Sequence, residues 1–172
     1  MDTLSLHPFQ TMLSEKLSES LSTPITAGTP RRVHGAVHLG GKATAVVGMR
    51  RAGKTMFLHQ IRRDRLADGM DRERMPYVNF EDERLAGLTA EYLHPMVEEY
   101  YRRFPALRGS ETVIWCFDEI QTVPGWERFV RRLLDSEKVD LFLTGSSAAL
   151  LSREIATALR GRAWEVIMHP FS

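Results

Sequence analysis

Five short apolar runs, separated by stretches with helical spacing, constrain this chain more than any other feature. The runs are ATAVVG (43–48), PYVNFED (76–82), TVIWCFDE (112–119), VDLFLTGSS (139–147) and AWEVIMH (163–169). Between them, apolar residues recur at three- and four-residue steps, the period of a helix with one buried face. Phe57, Leu58, Ile61 and Leu66 mark a helix from Gly53 to about Ala67. Val97, Tyr100, Tyr101 and Phe104 mark a second, with Pro95 suited to its first turn. Trp126, Phe129, Val130, Leu133 and Leu134 mark a third, and Leu151, Ile155, Ala158 and Leu159 a fourth. Strands alternating with helices predict an α/β three-layer sandwich around a parallel five-stranded sheet. The almost unbroken apolarity of 112–119 suits a strand covered on both faces. Ligands on such sheets sit at the carboxyl ends of the strands, and the polar residues of interest fall there.

Upstream, Phe9, Leu13, Leu17 and Leu21 predict a short helix over 9–21, which Ser22-Thr23-Pro24 ends. Residues 22–42 read as a linker. The expected organisation is an N-terminal helix and linker over 1–42 and one core domain over 43–172. A formal charge of +1 provides no global field for nucleic acid or a membrane. The arginines at 62–65 and 102–103 read as solvated helix faces. A single cysteine, Cys116, excludes an internal disulfide and fits a reducing compartment. No apolar run approaches a membrane span, and the N-terminus lacks the pattern of a secretory signal, so the expected location is the cytoplasm. His34 and His38 lie four apart in the linker with no third ligand in view, which argues against a structural zinc site.

GMRRAGKT, residues 48–55, follows the first run and opens the first helix. It matches G-x-x-x-x-G-K-[ST] in full, in the strand–loop–helix context of a P-loop NTPase. Glycines allow successive backbone N–H groups to turn toward phosphates, and the helix N-terminus adds a field that favours anions. Candidate nucleotide-binding residues run from Gly48 through Met49, Arg50, Arg51, Ala52, Gly53, Lys54 and Thr55 to Met56. Lys54 is placed to reach the β- and γ-phosphates, and the Thr55 hydroxyl to bind Mg²⁺. Arg50 and Arg51 stand where many such loops carry small residues. Their side chains are expected to leave the loop toward Glu81, Asp82 or a neighbouring subunit while the backbone cradles the ligand.

The run 112–119 ends in two acids. Asp118 is placed to hold Mg²⁺ through water beside Thr55, and Glu119 to polarise a water for attack on the γ-phosphate. Thr144, Ser146 and Ser147 close the fourth run, where two readings stand: a polar group orienting the attacking water, or a cap on the next helix. Arg160 and Arg162 close the fourth helix. Either is donated across a subunit interface to stabilise transition-state charge, or they satisfy helix-terminal carbonyls.

GMRRAGKT, YVNFEDERL, FDEIQTVPGWERFVRRLLD, LFLTGSS, LRGR and HPFS together resemble the AAA_14-type core of prokaryotic AAA+ superfamily ATPases. In that family the core is usually followed by a C-terminal domain of unknown function. The resemblance runs from about residue 31 to the end and is most specific in DEIQ followed by GWE and in the TGSS segment. It implies an ASCE-type sheet of order 5-1-4-3-2, ATP and Mg²⁺ as ligands, and hydrolysis coupled to conformational change. It implies Lys54 and Thr55 in Walker A, Asp118 and Glu119 in Walker B, Thr144 or Ser146 as first sensor, and Arg160 or Arg162 as arginine finger. Family members continue well past the PFS segment, so the expectation here is a core without its lid or effector module.

Candidate catalytic residues are therefore Glu119, Lys54, Arg160, Arg162, Ser146 and Thr144, and candidate metal ligands are Thr55 and Asp118. The leading expectation is an ATP-hydrolysing core that binds ATP and ADP and can assemble as a homo-oligomer. An alternative from another class is a nucleotide-dependent binding or regulatory module with little turnover. A small-molecule kinase fits less well, because adjacent Asp118 and Glu119 would activate water beside the acceptor. Nothing in the sequence indicates a nucleic-acid or protein client, or a membrane.

Overall fold

The computed structural model describes residues 7–25, 28–30, 41–146, 153, 157 and 159–170. An N-terminal helix α1 (Pro8–Ser22) precedes strand β1 (Ala43–Gly48) and helix α2 (Lys54–Ala67). There follow β2 (Tyr77–Asn79), α3 (Leu93–Arg103), β3 (Val113–Asp118), α4 (Trp126–Ser136), β4 (Val139–Gly145) and β5 (Ala163–Met168). The strands form one sheet in the order β2-β3-β4-β1-β5, parallel at every pairing. This is the expected order 5-1-4-3-2, read from the opposite edge. The helix expected around Leu151, Ile155 and Ala158 lies outside the described residues, as do His34, His38 and Ser147.

Side chains on successive strand residues point to opposite faces, and the core divides accordingly. Val113, Trp115 and Phe117 of β3 join Leu141 and Leu143 of β4 in one cluster with Leu13 and Leu17 of α1, Val97 and Tyr100 of α3, and Val130 and Leu133 of α4. Ile114, Cys116, Phe142 and Val46 form the other cluster, against Phe57, Leu58 and Ile61 of α2. Among the described residues, α2 thus covers one face and α1, α3 and α4 the other. Burial pushes the Cys116 thiol up to about 12, so it is an inert core group.

Four strands end earlier than the sequence suggests: β5 stops at Met168, one residue before His169, and the other three stop for local reasons. β2 stops at Asn79, although the Phe80 amide still donates to the Asp118 carbonyl at 2.9 Å. Beyond it, the Asp82 carboxylate accepts from the Arg84 amide at 2.9 Å and caps a short 3₁₀ turn. β3 ends at Asp118 because Glu119 adopts left-handed backbone angles, φ 56° and ψ 44°. β4 ends at Gly145, and Ser146 bends away.

Helix α1 lies along the β2 edge of the sheet, where an unpaired strand would otherwise expose its amides. The Tyr77 amide donates to Ser20 Oγ at 3.3 Å, and the Arg62 guanidinium donates to the Ser20 carbonyl at 2.9 Å. Lys16 pairs with Asp82 at 2.7 Å, and Arg103 donates to Ser14 Oγ at 2.6 Å. Leu17 is fully buried. Leu17→Ala is expected to cost ~2–5 kcal/mol, seen as a lower urea midpoint at unchanged m value. A loss below ~1 kcal/mol would show that α1 is not part of the folding unit.

Candidate functional site

The glycine loop leaves β1 at its carboxyl end. Gly48 has no room for a side chain, because a Cβ there would meet the Met168 carbonyl oxygen at 2.5 Å. The loop then passes through two left-handed residues, Arg51 at φ 64° and Gly53 at φ 87°. The Ala52 amide between them donates to the Met49 carbonyl at 3.1 Å, and left-handed residues in a loop are the setting in which neighbouring amides can form an anion nest. α2 starts at Lys54, directly behind it. The residues of this segment differ in exposure: Met49 is 69% exposed, Ala52 is buried and Met56 half-buried.

Lys54 is buried, and its Nζ donates to the carbonyls of Gly48 at 3.0 Å and Met49 at 2.8 Å. An ammonium has three donors, so these two bonds hold the group at the loop and leave one for a ligand. Arg50 leaves the loop, as expected, and pairs with Glu81 at 2.6 Å. Both partners are exposed, so the pair contributes little stability. Asp82 instead bonds Arg84 and Lys16, whose hydrogen bonds hold its carboxyl well below the usual carboxylate range.

The two acids at the end of β3 have different surroundings. Asp118, 1% exposed, accepts hydroxyl hydrogen bonds from Thr55 at 2.7 Å, Tyr77 at 2.6 Å and Thr144. Burial, and then the charge and hydrogen bond of Asp118, push the Tyr77 phenol well above its ordinary range. Tyr77 is therefore a fixed proton donor. The Thr144 hydroxyl also accepts from the Glu119 amide at 2.9 Å, so one side chain holds both acids in register. The Glu119 carboxylate takes two bonds on the same oxygen, Oε2, from Ser146 Oγ at 2.5 Å and from Gln121 Nε2 at 2.6 Å.

Thr55 and Asp118 offer the oxygen donors that suit a hard divalent cation, already in contact with one another beside the loop. Among the described residues no group of three or more His, Cys, Asp or Glu side chains could cage a metal. Mg²⁺ is commonly held by one or two protein oxygens together with water and substrate phosphates, and the Thr55 hydroxyl and Asp118 carboxylate are oxygens of that kind. The donor set present therefore fits the expected ion.

Lys54, Thr55, Asp118, Glu119, Thr144 and Ser146 thus come together around the carboxyl ends of β1, β3 and β4. Arg160 and Arg162 do not join them. They precede β5, whose Ala163 pairs in register with Ala43 at the start of β1, whereas Met168 pairs with Gly48 at its end. Five residue steps at ~3.3 Å separate the arginines from their own loop by roughly 16 Å. Arg160 is exposed and Arg162 forms an ion pair with Asp135. Two residues that spacing did not single out also enter the site. Tyr77 arrives because β2 pairs beside β3, with Asn79 opposite Asp118, and Gln121 because the chain turns back after Glu119.

A parallel sheet in this order, with a glycine loop after one central strand and paired acids after another, defines a nucleotide-binding module of the P-loop ATPase type. Residues 40–172 match the model of the AAA_14 family of AAA domains, and the chain belongs to that family. It is 45% identical over 121 residues to the uncharacterized protein MJ1544 of Methanocaldococcus jannaschii, covering 70% of this chain and 25% of that protein. It is 35% identical over 128 residues to an uncharacterized protein of Haemophilus influenzae, covering 74% of this chain and 31% of the other. The chain therefore spans between a quarter and a third of the length of these relatives. Among solved structures, C. elegans PCH-2 aligns with a TM-score of 0.49 at 15% identity, covering 95% of this chain and 42% of that one. The S. cerevisiae Hsp104–ADP complex aligns with a TM-score of 0.40 at 11% identity, covering 95% and 33%.

Thr144→Val keeps the shape of the side chain and removes both of its hydrogen bonds. The Glu119 amide and one Asp118 oxygen then lose a buried partner, at an expected cost of roughly 1–3 kcal/mol each. Chemical unfolding should register a loss of at least ~1 kcal/mol; no change would show that Thr144 does not couple the acids.

Proposed function

We propose that this chain is an ATP-binding core that hydrolyses ATP to ADP and phosphate with Mg²⁺, coupling turnover to conformational change. The observation that carries this reading is the contact between Thr55 and Asp118 beside a complete phosphate loop, with Glu119 one residue further on. Loop amides and the remaining Lys54 donor bind the β- and γ-phosphates. Thr55 and Asp118 hold Mg²⁺, which when bound neutralises charge on the phosphates. Glu119 takes a proton from water as its oxygen bonds the γ-phosphorus. The bond to the bridging oxygen breaks, and ADP leaves with that electron pair. Ser146 and Thr144 hold the Glu119 side chain and backbone during this step.

The sheet's polarity supports a reading in which any catalytic role of the arginines is exercised on a second copy. Arg160 and Arg162 lie at the amino end of β5 and the loop at the carboxyl end of β1, so neither serves its own site. Either would act on the site of a second copy, which makes a homo-oligomer the expected working state.

Lys54→Ala should weaken Mg²⁺–ATP binding ~10- to 150-fold, the loss of a charged hydrogen bond worth ~1.5–3 kcal/mol. Unchanged affinity, measured by calorimetry, would remove the site from this loop. Glu119→Gln should bind ATP as the wild type does and release phosphate ~10²- to 10⁴-fold more slowly. Equal phosphate release by the two proteins would favour a nucleotide-dependent binding module instead.

A further inference from the structure

Gln121 sits in the 3₁₀ turn Ile120–Thr122, two residues beyond Glu119. The left-handed Glu119 backbone reverses the chain, so that its own carbonyl accepts from the Thr122 amide at 3.2 Å and from Thr122 Oγ1 at 2.9 Å. The reversal brings the Gln121 amide to the Glu119 side chain, with Nε2 2.6 Å from Oε2. Ser146 Oγ donates to that same oxygen. Among the described residues, no donor bonds the other oxygen, Oε1.

Two local costs surround this contact. A non-glycine residue in the left-handed region is disfavoured by ~1–2 kcal/mol. The Gln121 Oε1 atom is buried and has no hydrogen-bond partner among the described residues, a further penalty of roughly 1–3 kcal/mol. Rotating the amide would exchange its ends and aim carbonyl lone pairs at the carboxylate. The orientation is therefore fixed by Glu119 rather than by the needs of the amide itself. Costs of this kind persist where the surrounding structure over-determines them, and they cluster at functional sites.

We propose that Gln121 is a positioning residue for the water-activating carboxylate. Together with Ser146 it saturates Oε2, fixes the plane of the carboxylate and leaves Oε1 as the one acceptor for the water proton. A base with a single available oxygen in a fixed direction loses less orientational freedom on meeting its water. The inference rests on the hydrolytic reading above and extends it to a residue outside the loop and the two acids.

The test combines ATP binding and hydrolysis by Gln121→Ala, Gln121→Glu, Glu119→Gln and the Gln121→Ala/Glu119→Gln double variant. Gln121→Ala should lower kcat ~10- to 100-fold, short of the effect of losing the base itself, with ATP affinity within about twofold of wild type. Gln121→Glu has the same shape but no donor, so it should fail to restore the rate. The double variant should be no slower than Glu119→Gln alone, because Gln121 acts through Glu119. A wild-type rate in Gln121→Ala, rescue by Gln121→Glu, or additive losses in the double variant would each overturn the proposal.

The contact itself is read without turnover, from the Gln121 side-chain amide protons in an NMR spectrum, assigned by their loss in Gln121→Ala. They should shift when Glu119→Ala removes the carboxylate. Unmoved resonances would overturn the clamp whatever the rate. A wild type with shifting resonances and no phosphate release would instead overturn the hydrolytic reading, and with it the purpose assigned to Gln121.

Discussion

The buried carboxylate of Asp118 is the constraint around which the rest of the structure is arranged. Removing a carboxylate from water costs several kcal/mol unless the protein replaces its hydration. Among the described residues no cation pairs with it. Its compensation comes from three neutral hydroxyls on three different elements: Thr55 on α2, Tyr77 on β2 and Thr144 on β4. Each bond demands that its element sit at one height relative to β3. A one-residue slip of β2 would turn Tyr77 to the other face of the sheet, and a shift of α2 along its axis would withdraw Thr55. The same three bonds therefore hold strand register and the start of α2, which carries Lys54 one residue before Thr55.

From this anchor, a single change of backbone conformation gives adjacent acids different surroundings. In a continuing strand, Glu119 would point to the face opposite Asp118 and into one of the two apolar clusters. Its left-handed turn avoids that burial and directs the side chain to Ser146 at the end of β4 and to Gln121 in the turn itself. Thr144 couples the two acids, donating to Asp118 and accepting from the Glu119 amide. The rigid part of the pair holds position, while the second acid keeps one oxygen without a protein donor among the described residues. On the proposed function, that division suits Asp118 to hold a cation and Glu119 to accept a proton.

Much of this was legible in the sequence, and the exceptions have physical causes. The apolar runs gave all five strands and the parallel sheet, because strands covered on both faces must be apolar along their length. The glycine loop between β1 and α2 was legible because its glycines answer steric demands that no other residue meets, as the 2.5 Å approach of the Met168 carbonyl at Gly48 shows. Strand ends were read one to three residues too long: PYVNFED stops at Asn79, and TVIWCFDE stops before Glu119. Hydrophobicity does not report the Asp82 cap or the left-handed turn that ends them. Tyr77 and Gln121 were not singled out for a different reason. Tyr77 depends on which strand lies beside β3, and Gln121 on a chain reversal, and neither relation is encoded in spacing along the chain.

The sheet's direction also limits what a single copy can do. In a parallel sheet every strand presents its carboxyl end to the same side, so loops that follow strands gather at one edge and residues that precede them at the other. Gly48, Asp118, Glu119, Thr144 and Ser146 all lie at or just beyond strand ends. Arg160 and Arg162 lie just before one. No side-chain rearrangement spans the length of β5, since an extended arginine reaches only a fraction of the roughly 16 Å that its five steps occupy. Cationic help from these residues therefore requires a neighbour whose amino edge faces this loop. The ion pair between Arg162 and Asp135 ties one of them to α4 and leaves the exposed Arg160, at φ 24° in the turn before β5, the better placed to meet another surface.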